Sequence, residues 1–300
     1  HATAASSPTS TSIHRFTLSH WWRAAYEASG PVAGNLIGPS PLHERGGHLF
    51  AAVDEGTSGS GDDRGGSRIV ALEQDGDSLV TIGRSDDLGD GDPVTVVRYT
   101  GDRAFTHTGR HWQPIRVVDL HDPTRPSPAG ALSALSYYQI VLQPIGTDQL
   151  ATVESDRSRW AAATKVSSYA VVDGEFRETG TWTQPGTSSR AASDPESLLW
   201  ADRARLLVVP VAERFARAPT RGAAVFSVSP AGDLTYVGHV GPSEHQREDA
   251  GSEVFRSLTI GEDLWTLSGS YSRLDRRANW LLQSYDLATL ERKSAVALND

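Results

Sequence analysis

The chain has 300 residues, 28 basic and 37 acidic side chains, a net charge of −9 and no cysteine. No apolar run approaches the roughly 18 residues of a membrane span, and the acidic balance argues against a nucleic-acid groove lined with Lys and Arg. The missing cysteines exclude disulfides, thiol nucleophiles and thiolate metal sites.

Residues 1–11 are rich in Ser, Thr, Ala and Pro and show no apolar period. We predict a flexible leader of the kind that follows a removed signal peptide. The chain begins at His1 and contains no Met, so we expect a processed protein or a piece of a longer one. Two strands follow, near 12–18 and 24–29.

Beyond the leader, short alternating or wholly apolar runs end at Gly, Asp and Pro, which predicts an all-β chain. A hairpin followed by two further strands recurs along the sequence. One strand of this unit returns at intervals of 48 to 59 residues, with equivalent positions at Phe16, Val70, Val118, Tyr169, Phe226 and Tyr285. A near-constant period with four strands per unit is typical of a β-propeller, whereas the strands of a sandwich do not repeat in this order.

We therefore predict a β-propeller domain over residues 12–300, built from four-stranded antiparallel blades. Five complete blades are expected, at about 40–85, 93–132, 136–182, 197–240 and 254–298. The two strands of 12–30 form a half-blade, which implies that partner strands once preceded His1. Long polar loops at 54–67, 183–196, 212–221 and 241–253 are candidates for functional insertions.

Four segments, in order and at their spacings, resemble those of a known family. They are Ile13-His14-Arg15-Phe16, the run from Tyr26 to Leu36, the Asp122-Pro123 turn with its preceding strand, and the run from Arg256 to Gly261. The sequence is similar to secreted bacterial and archaeal proteins with a carboxy-terminal β-propeller distantly related to WD-40 repeats. The resemblance implies an extracytoplasmic propeller of uncharacterised role with further blades upstream, and it supplies no catalytic residues.

Acidic turns are the candidate metal site. Two segments that contain flexible glycines supply several carboxylates, at Asp75, Asp77, Asp86, Asp87, Asp90 and Asp92. Ca²⁺ prefers several oxygen ligands at close range, so calcium is the candidate cofactor. Solvated hairpin turns explain Asp-Gly pairs equally well, and no other cofactor is expected.

Candidate ligand-binding residues belong to two groups. Trp112 and Trp160 are flanked by loops and are available for stacking on sugar rings, whereas tryptophans inside strands suit blade packing. Asp194, Glu196 and Arg256 lie beside first blade strands, which line the channel of a propeller. These three either pair with one another or bind a small polar ligand.

No sequence motif for a nucleophile elbow, a zinc protease helix or a phosphate-binding loop is present. We therefore expect a non-catalytic binding scaffold for protein or glycan, secreted or attached to the cell envelope, without nucleic-acid partners. The alternative is a hydrolase or lyase that uses acids such as Asp194 and Glu196, with or without Ca²⁺. A fold alone does not distinguish these two functions.

Overall fold

The computed structural model describes residues 9–19, 23–56, 66–110, 113–132, 139–156, 162–213, 221–242, 253–272 and 277–298. Within these ranges the regular elements are β-strands and three short 3-10 helices. The chain forms two compact units, residues 1–134 and 135–300. None of the helices found in the described ranges is long and apolar enough to cross a membrane.

Sheet A, in the first unit, joins an amino-terminal hairpin to an antiparallel sheet. The hairpin consists of β1 (Ser10–Ser19) and β2 (Arg23–Ala33). The other strands are β3 (Asn35–Leu36), β4 (Leu42–Arg45), β5 (His48–Asp54), β6 (Ser67–Asp75) and β7 (Ser78–Arg84). Because β3 and β4 both pair with β5, the first strand of this sheet is formed in two pieces.

A short parallel contact between β2 and β7 attaches the hairpin to sheet A. Ser29 pairs with Ser78, and the Ser29 amide donates to the Asp77 carbonyl at 3.1 Å. A Cβ atom on Gly30 would overlap the carbonyl oxygen of Leu79. Glycine at this position therefore permits the close approach of the two strands.

Sheet B completes the first unit with four antiparallel strands in chain order. They are β8 (Val96–Thr100), β9 (Arg103–His107), β10 (Ile115–Asp119) and β11 (Ser127–Leu132). The turn between β8 and β9 contains Gly101 at a φ of 54°, a left-handed conformation that glycine adopts without steric cost.

The second unit contains sheets C, D and E. Sheet C consists of β12 (Gln139–Gly146), β13 (Gln149–Asp156), β14 (Ala163–Val172) and β15 (Glu175–Pro185). Sheet D consists of β16 (Thr187–Ser188), β17 (Leu199–Ala201), β18 (Leu206–Glu213), β19 (Arg221–Val228) and β20 (Leu234–Val240). Sheet E consists of β21 (Glu253–Ile260), β22 (Asp263–Ser272), β23 (Arg277–Asp286) and β24 (Arg292–Leu298). As in sheet A, two short strands of sheet D, β16 and β17, share one partner, β18.

The core of the first unit follows the two-residue period of β5. Phe50 and Ala52 pack in a cluster with residues of sheet B. Ala51 and Val53 point to the opposite face and pack against the β1–β2 hairpin. A strand buried on both faces requires a continuous apolar run, and β5 has one.

The second unit uses β18 in the same way. Leu207 and Val209 pack against sheet C. Leu206 and Val208 point to the other face and pack against sheet E. Sheet D is therefore the middle layer of the second unit.

The predicted fold class is confirmed, because the described chain is all-β and each of its five sheets contains four antiparallel strand positions. Two short strands fill the first position in sheets A and D, and the hairpin adds two further strands to sheet A. Five such sheets correspond to the five predicted blades, and the hairpin corresponds to the half-blade. The hairpin is an extension of sheet A, and β1 begins at Ser10, inside the segment predicted as leader.

Candidate functional site

A charged cluster lies where the connection between β16 and β17 meets β21. We define it by five residues, Arg190, Asp194, Glu196, Glu253 and Arg256. The first three lie on or next to two 3-10 helices, Arg190–Ala192 and Pro195–Ser197. The last two lie on β21. The cluster thus connects sheet D with sheet E inside the second unit.

Capping residues fix the connection that carries the cluster. The buried Ser189 hydroxyl accepts from the Ala191 amide at 3.2 Å and donates to the Pro210 carbonyl at 2.7 Å. Pro195 begins the second helix, where its missing N–H is not needed. These contacts hold Asp194 and Glu196 in place relative to β18.

Arg256 binds both acidic residues of the connection. Its guanidinium donates to Asp194 Oδ2 at 2.7 Å and to Glu196 Oε2 at 3.3 Å. Arg190 Nε also donates to Asp194 Oδ2, at 3.2 Å. The structure therefore brings together the three residues selected from the sequence and connects them as ion pairs.

The electrostatics of the cluster follow from these contacts. The hydrogen bond from Arg256 holds the pKa of Asp194 below its usual range, against a smaller opposing effect of burial. The same hydrogen bond raises the pKa of Arg256. Asp194 is consequently ionised across the neutral range.

Arg190 and Glu253 are members of the cluster that the sequence analysis did not select. Arg190 Nη1 lies 3.6 Å from Glu253 Oε2, and its guanidinium carbon lies 3.9 Å above the Phe255 ring. Phe255 in turn contacts Trp280 edge to face at 5.1 Å. The only sequence signal was the four-residue spacing of Arg190 and Asp194, which is common on protein surfaces.

A cavity of about 130 Å³ adjoins the cluster. Arg190 and Glu253 line it together with three serines, Ser188, Ser189 and Ser193. Charged groups of both signs and hydroxyl groups at one opening suit a polar or zwitterionic group of a ligand. The cavity is small, so it fits a part of a ligand, such as one side chain or one sugar substituent.

The predicted metal residues have other contacts in the structure. Asp87 accepts backbone hydrogen bonds from Ser67, Gly89 and Gly91 at 2.7 to 3.2 Å. Asp90 is paired with Arg116.

Asp92 lies 2.9 Å from Arg110, and Asp75 and Asp77 flank the turn between β6 and β7. Asp86 is exposed, with its carbonyl accepting from the Ser85 hydroxyl. Within the described ranges no three His, Asp or Glu side chains are arranged to hold a metal ion. The calcium site stays a prediction.

Trp112 and Trp160 lie outside the residues that the structure describes. Their proposed role in sugar stacking therefore stays a prediction. Trp200 and Trp265 are two of the tryptophans inside strands, which the sequence predicts to serve blade packing. Both are partly buried in their sheets, and Trp200 packs against the core cluster shared by sheets C and D.

Comparison with known families agrees with this architecture. A family model described as a beta propeller domain matches residues 1–278. The chain belongs to the beta propeller domain family. Sheets A to E are accordingly blades, and the charged cluster connects two neighbouring blades of this propeller chain.

A curated relative is an uncharacterised protein of Methanocaldococcus jannaschii. It is 26% identical over 255 residues, which make up 85% of this chain and 37% of the relative. The chain therefore spans little more than a third of the length of that relative.

Similar solved structures include an exo-β-1,3-galactanase from Phanerochaete chrysosporium and a β-1,2-mannobiose phosphorylase from Listeria innocua. Both are 9% identical, with TM-scores of 0.33 and 0.35. The first match covers 84% of this chain and 61% of the galactanase, and the second covers 88% and 76%. Similarity at this level carries no inference about function.

Proposed function

We propose that this propeller is a non-catalytic binding scaffold whose second unit contacts a protein or glycan partner through the charged cluster. The observation that carries the proposal is the pairing of Asp194 and Glu196 with Arg256. Both candidate acids pair with one arginine in a preformed arrangement of opposite charges.

This chemistry favours binding over acid–base catalysis. A general acid must be protonated near the working pH, which requires a raised pKa. The pKa of Asp194 is instead lowered by Arg256. A hydrolase or lyase that uses Asp194 as its acid is therefore the less favoured alternative.

The exposed members of the cluster can pair with charged groups of a bound partner instead of with each other. The Glu196 side chain is 83% exposed and that of Arg256 is 43% exposed. Such rim charges contribute mainly to orientation and association rate, because solvent screens them. The cavity beside Arg190 supplies the enclosed part of the surface.

A quantitative binding assay tests this proposal. The purified protein is applied to an array of neutral and acidic glycans and is cross-linked in envelope extract, and each hit is measured again by titration with purified ligand. We expect Arg256→Ala to weaken binding by about tenfold, equivalent to about 1.4 kcal/mol. Arg177→Ala is the matched control, because Arg177 forms an exposed pair with Glu175 at 2.6 Å on sheet C. Retention of full affinity by Arg256→Ala would overturn the assignment of the site.

Incubation with a panel of polysaccharides distinguishes the catalytic alternative. We expect no release of reducing ends or unsaturated sugars above background. Release that disappears in Asp194→Asn would replace the scaffold proposal with a hydrolase or lyase.

We also propose that the protein acts outside the cytoplasm, at the cell envelope. The resemblance to secreted propeller proteins supports this location. Fractionation of cells that express the natural full-length protein tests it. Recovery of that protein with the cytoplasmic fraction would be inconsistent with the proposal.

A further inference from the structure

The amino-terminal hairpin has a free edge. β1 stands at the end of the strand order of sheet A, and β2 is its one partner among the strands that the structure describes. Sheets A to E each have four strand positions, whereas the hairpin has two strands. An edge strand presents unpaired N–H and C=O groups, and a further extended segment can pair with them.

β1 lacks the features that usually protect an edge strand. Among the edge strands that the structure describes, only β1 and β15 have ten residues or more. β15 carries three charged residues, Glu175, Arg177 and Glu178, whereas β1 has Arg15 alone and contains no proline. The bulge of the hairpin leaves β1 regular, because its extra residue, Glu27, lies on β2. A long edge without charges, proline or a bulge is a template for strand addition.

The pairing of β1 with β2 shows which backbone groups meet the free edge. The Gly34 amide donates to the Thr9 carbonyl at 2.7 Å, so the Thr9 carbonyl points toward β2. Successive residues of a strand direct their N–H and C=O groups to opposite edges, so those of Ser12 and His14 point to the free edge. Pro31, which has no N–H, is the partner of Ser12. Proline suits that position, because no hydrogen bond crosses the hairpin there.

A groove of about 210 Å³ runs along this free edge. We call it the edge groove. Four consecutive residues of β1, Ile13 to Phe16, line it, whereas the described residues of β2 do not. Consecutive side chains of a strand point to opposite faces, so a groove that touches all four residues lies beside the strand. The edge groove therefore occupies the place of a strand that would pair with β1.

The floor of the edge groove is apolar. It is formed by sheet A beyond the part that the hairpin covers. Leu42 of β4 is 41% exposed, and Leu49 of β5 is partly buried. The buried Leu72 and Leu79 continue this surface. A cavity of about 150 Å³ holds benzene, so the edge groove accommodates one large apolar side chain of an added strand.

Charge at the groove favours a basic residue in the bound segment. Arg15 donates to Gln74 Oε1 at 2.9 Å and to Glu44 Oε1 at 2.8 Å. It also lies 3.3 Å from Glu27 Oε2. Two carboxylates and one guanidinium leave a net negative charge. The Glu44 side chain is 61% exposed, so it can pair with a basic side chain of a partner.

We propose that the edge groove binds an extended segment of a partner protein, which adds to the free edge of β1 as a further strand. Main-chain hydrogen bonds to Ser12 and His14 hold the segment. One apolar side chain enters the groove against Leu42 and Leu49, and a basic side chain pairs with Glu44. The segment therefore has apolar residues at alternate positions and at least one basic residue. This site goes beyond the function proposed for the charged cluster and does not depend on it.

Fluorescence anisotropy of the full chain with labelled synthetic peptides tests the proposal. The peptides alternate threonine with valine, leucine or phenylalanine and have a lysine at each end. We expect at least one of them to bind, its version with a central proline to bind about tenfold more weakly, and its version with terminal glutamates to bind about fivefold more weakly. Binding by none of them, or equal binding by the proline version, would overturn the proposal.

Two substitutions at one position test the free edge. His14→Pro removes an N–H that points away from β2, and edge strands tolerate proline at such positions. We expect it to weaken peptide binding about tenfold. His14→Ala is the matched control, because it keeps the N–H, and it is expected to bind like the original protein. Circular dichroism verifies that both variants fold, and full affinity in folded His14→Pro would overturn the proposal.

Leu42→Ala tests the floor of the groove. Leu42 is exposed, so its truncation is expected to leave the fold intact and to weaken peptide binding about fivefold. Leu258→Ala is the matched control, because Leu258 is a 46% exposed leucine on sheet E. Equal affinity in the two variants would show that the groove does not hold the peptide.

Other occupants of the edge give different results. Self-association of the chain in sedimentation velocity, lost in His14→Pro, would assign the edge to a second copy. Peptide binding by this chain but not by the natural full-length protein would assign the edge to the upstream strands expected from the sequence. Either result would overturn the assignment to a partner protein. Arg256→Ala separates the two proposals, because it is expected to leave peptide binding at the edge groove unchanged.

Discussion

Sheets D and E both have four strand positions, the first of which is divided between β16 and β17 in sheet D, but they bury different side chains. Sheet D is apolar on both faces, with residues such as Leu207 and Val208 fully buried. The face that sheet E turns toward sheet D carries Thr266, Ser268 and Gln283, all at 0% exposure. Their side-chain polar atoms have no hydrogen-bond partner in the part of the chain that the structure describes.

Strand register explains how these polar groups come together. Ser257 pairs with Thr266, and Thr266 pairs with Gln283, so the three side chains form one row across β21, β22 and β23. A buried polar group without a partner costs about 1–3 kcal/mol. Hydrophobic burial therefore stabilises sheet D, whereas the buried row of Ser257, Thr266 and Gln283 destabilises sheet E.

Phe226→Ala gives the largest expected effect, because it breaks the core of sheet D. Phe226 is fully buried and contacts Trp182 edge to face at 5.1 Å. Removing a buried phenyl group leaves a cavity and is expected to cost about 3–5 kcal/mol of unfolding free energy. Denaturant titration followed by tryptophan fluorescence measures this change.

Tyr236→Ala, on the exposed side of the same aromatic group, is the control and is expected to cost less. Equal losses in both variants would contradict the assignment of Phe226 to the core.

An exchange of Val and Thr tests the comparison directly. Val225 of sheet D and Thr266 of sheet E both point into the layer between the two sheets. Val225→Thr buries a hydroxyl group and is expected to cost about 1–3 kcal/mol. Thr266→Val removes an unpaired hydroxyl group and is expected to be neutral or to stabilise by about 1 kcal/mol.

Denaturant midpoints of the two variants, measured under identical conditions, give the comparison. A loss of more than about 1 kcal/mol in Thr266→Val would mean that its hydroxyl group has a partner, such as ordered water.

Much of this difference is visible in the sequence. The run Leu206–Val211 is wholly apolar, which predicts a strand buried on both faces, and β18 is such a strand. The alternation Leu264, Thr266, Ser268 gives no such prediction, because Thr and Ser in strands usually face solvent. Burial of that face comes from packing against sheet D, which local pattern does not encode.

The contacts within the charged cluster could not be predicted from the sequence, because its residues come from segments that are far apart in the chain. Asp194, Glu196 and Arg256 were selected because each lies beside a first blade strand. Their mutual contact depends on how β21 packs on sheet D, and the same packing brings Glu253 to Arg190. In a similar way, the attachment of the hairpin to β7 depends on the close approach at Gly30. The spacing of the repeated strands and the turn residues between them predict the blades, but they do not predict these contacts between blades.

The pH dependence of stability examines the ion pairs that tie sheet D to sheet E. The pKa of Asp194 is lowered in the folded state by Arg256. A depressed pKa stabilises the folded protein above the unfolded value of about 3.9, and this contribution disappears as pH falls through the folded value. We expect the gap in stability between the original protein and Asp194→Asn to be constant from pH 7 to about 5 and to shrink below about pH 4.

Thermal unfolding at each pH measures this gap, and Glu175→Gln on the exposed pair of sheet C is the control. A gap that widens on acidification would contradict the lowered pKa.

The smallest expected effect is that of Ca²⁺, and it extends the comparison to sheet A. The charged cluster between sheets D and E holds its carboxylates with arginines. The acidic connection from β7 of sheet A to β8 of sheet B, which contains Asp87, Asp90 and Asp92, uses both arginines and backbone amides. Asp90 is neutralised by Arg116 and Asp92 by Arg110, and Asp87 already accepts three backbone hydrogen bonds. A cation would have to displace these contacts, so we expect millimolar Ca²⁺ to raise the melting temperature by less than about 2 °C.

Thermal unfolding with Ca²⁺ and with EDTA measures the shift. A larger shift that is lost in Asp90→Asn and kept in Asp194→Asn would establish the calcium site predicted from the sequence.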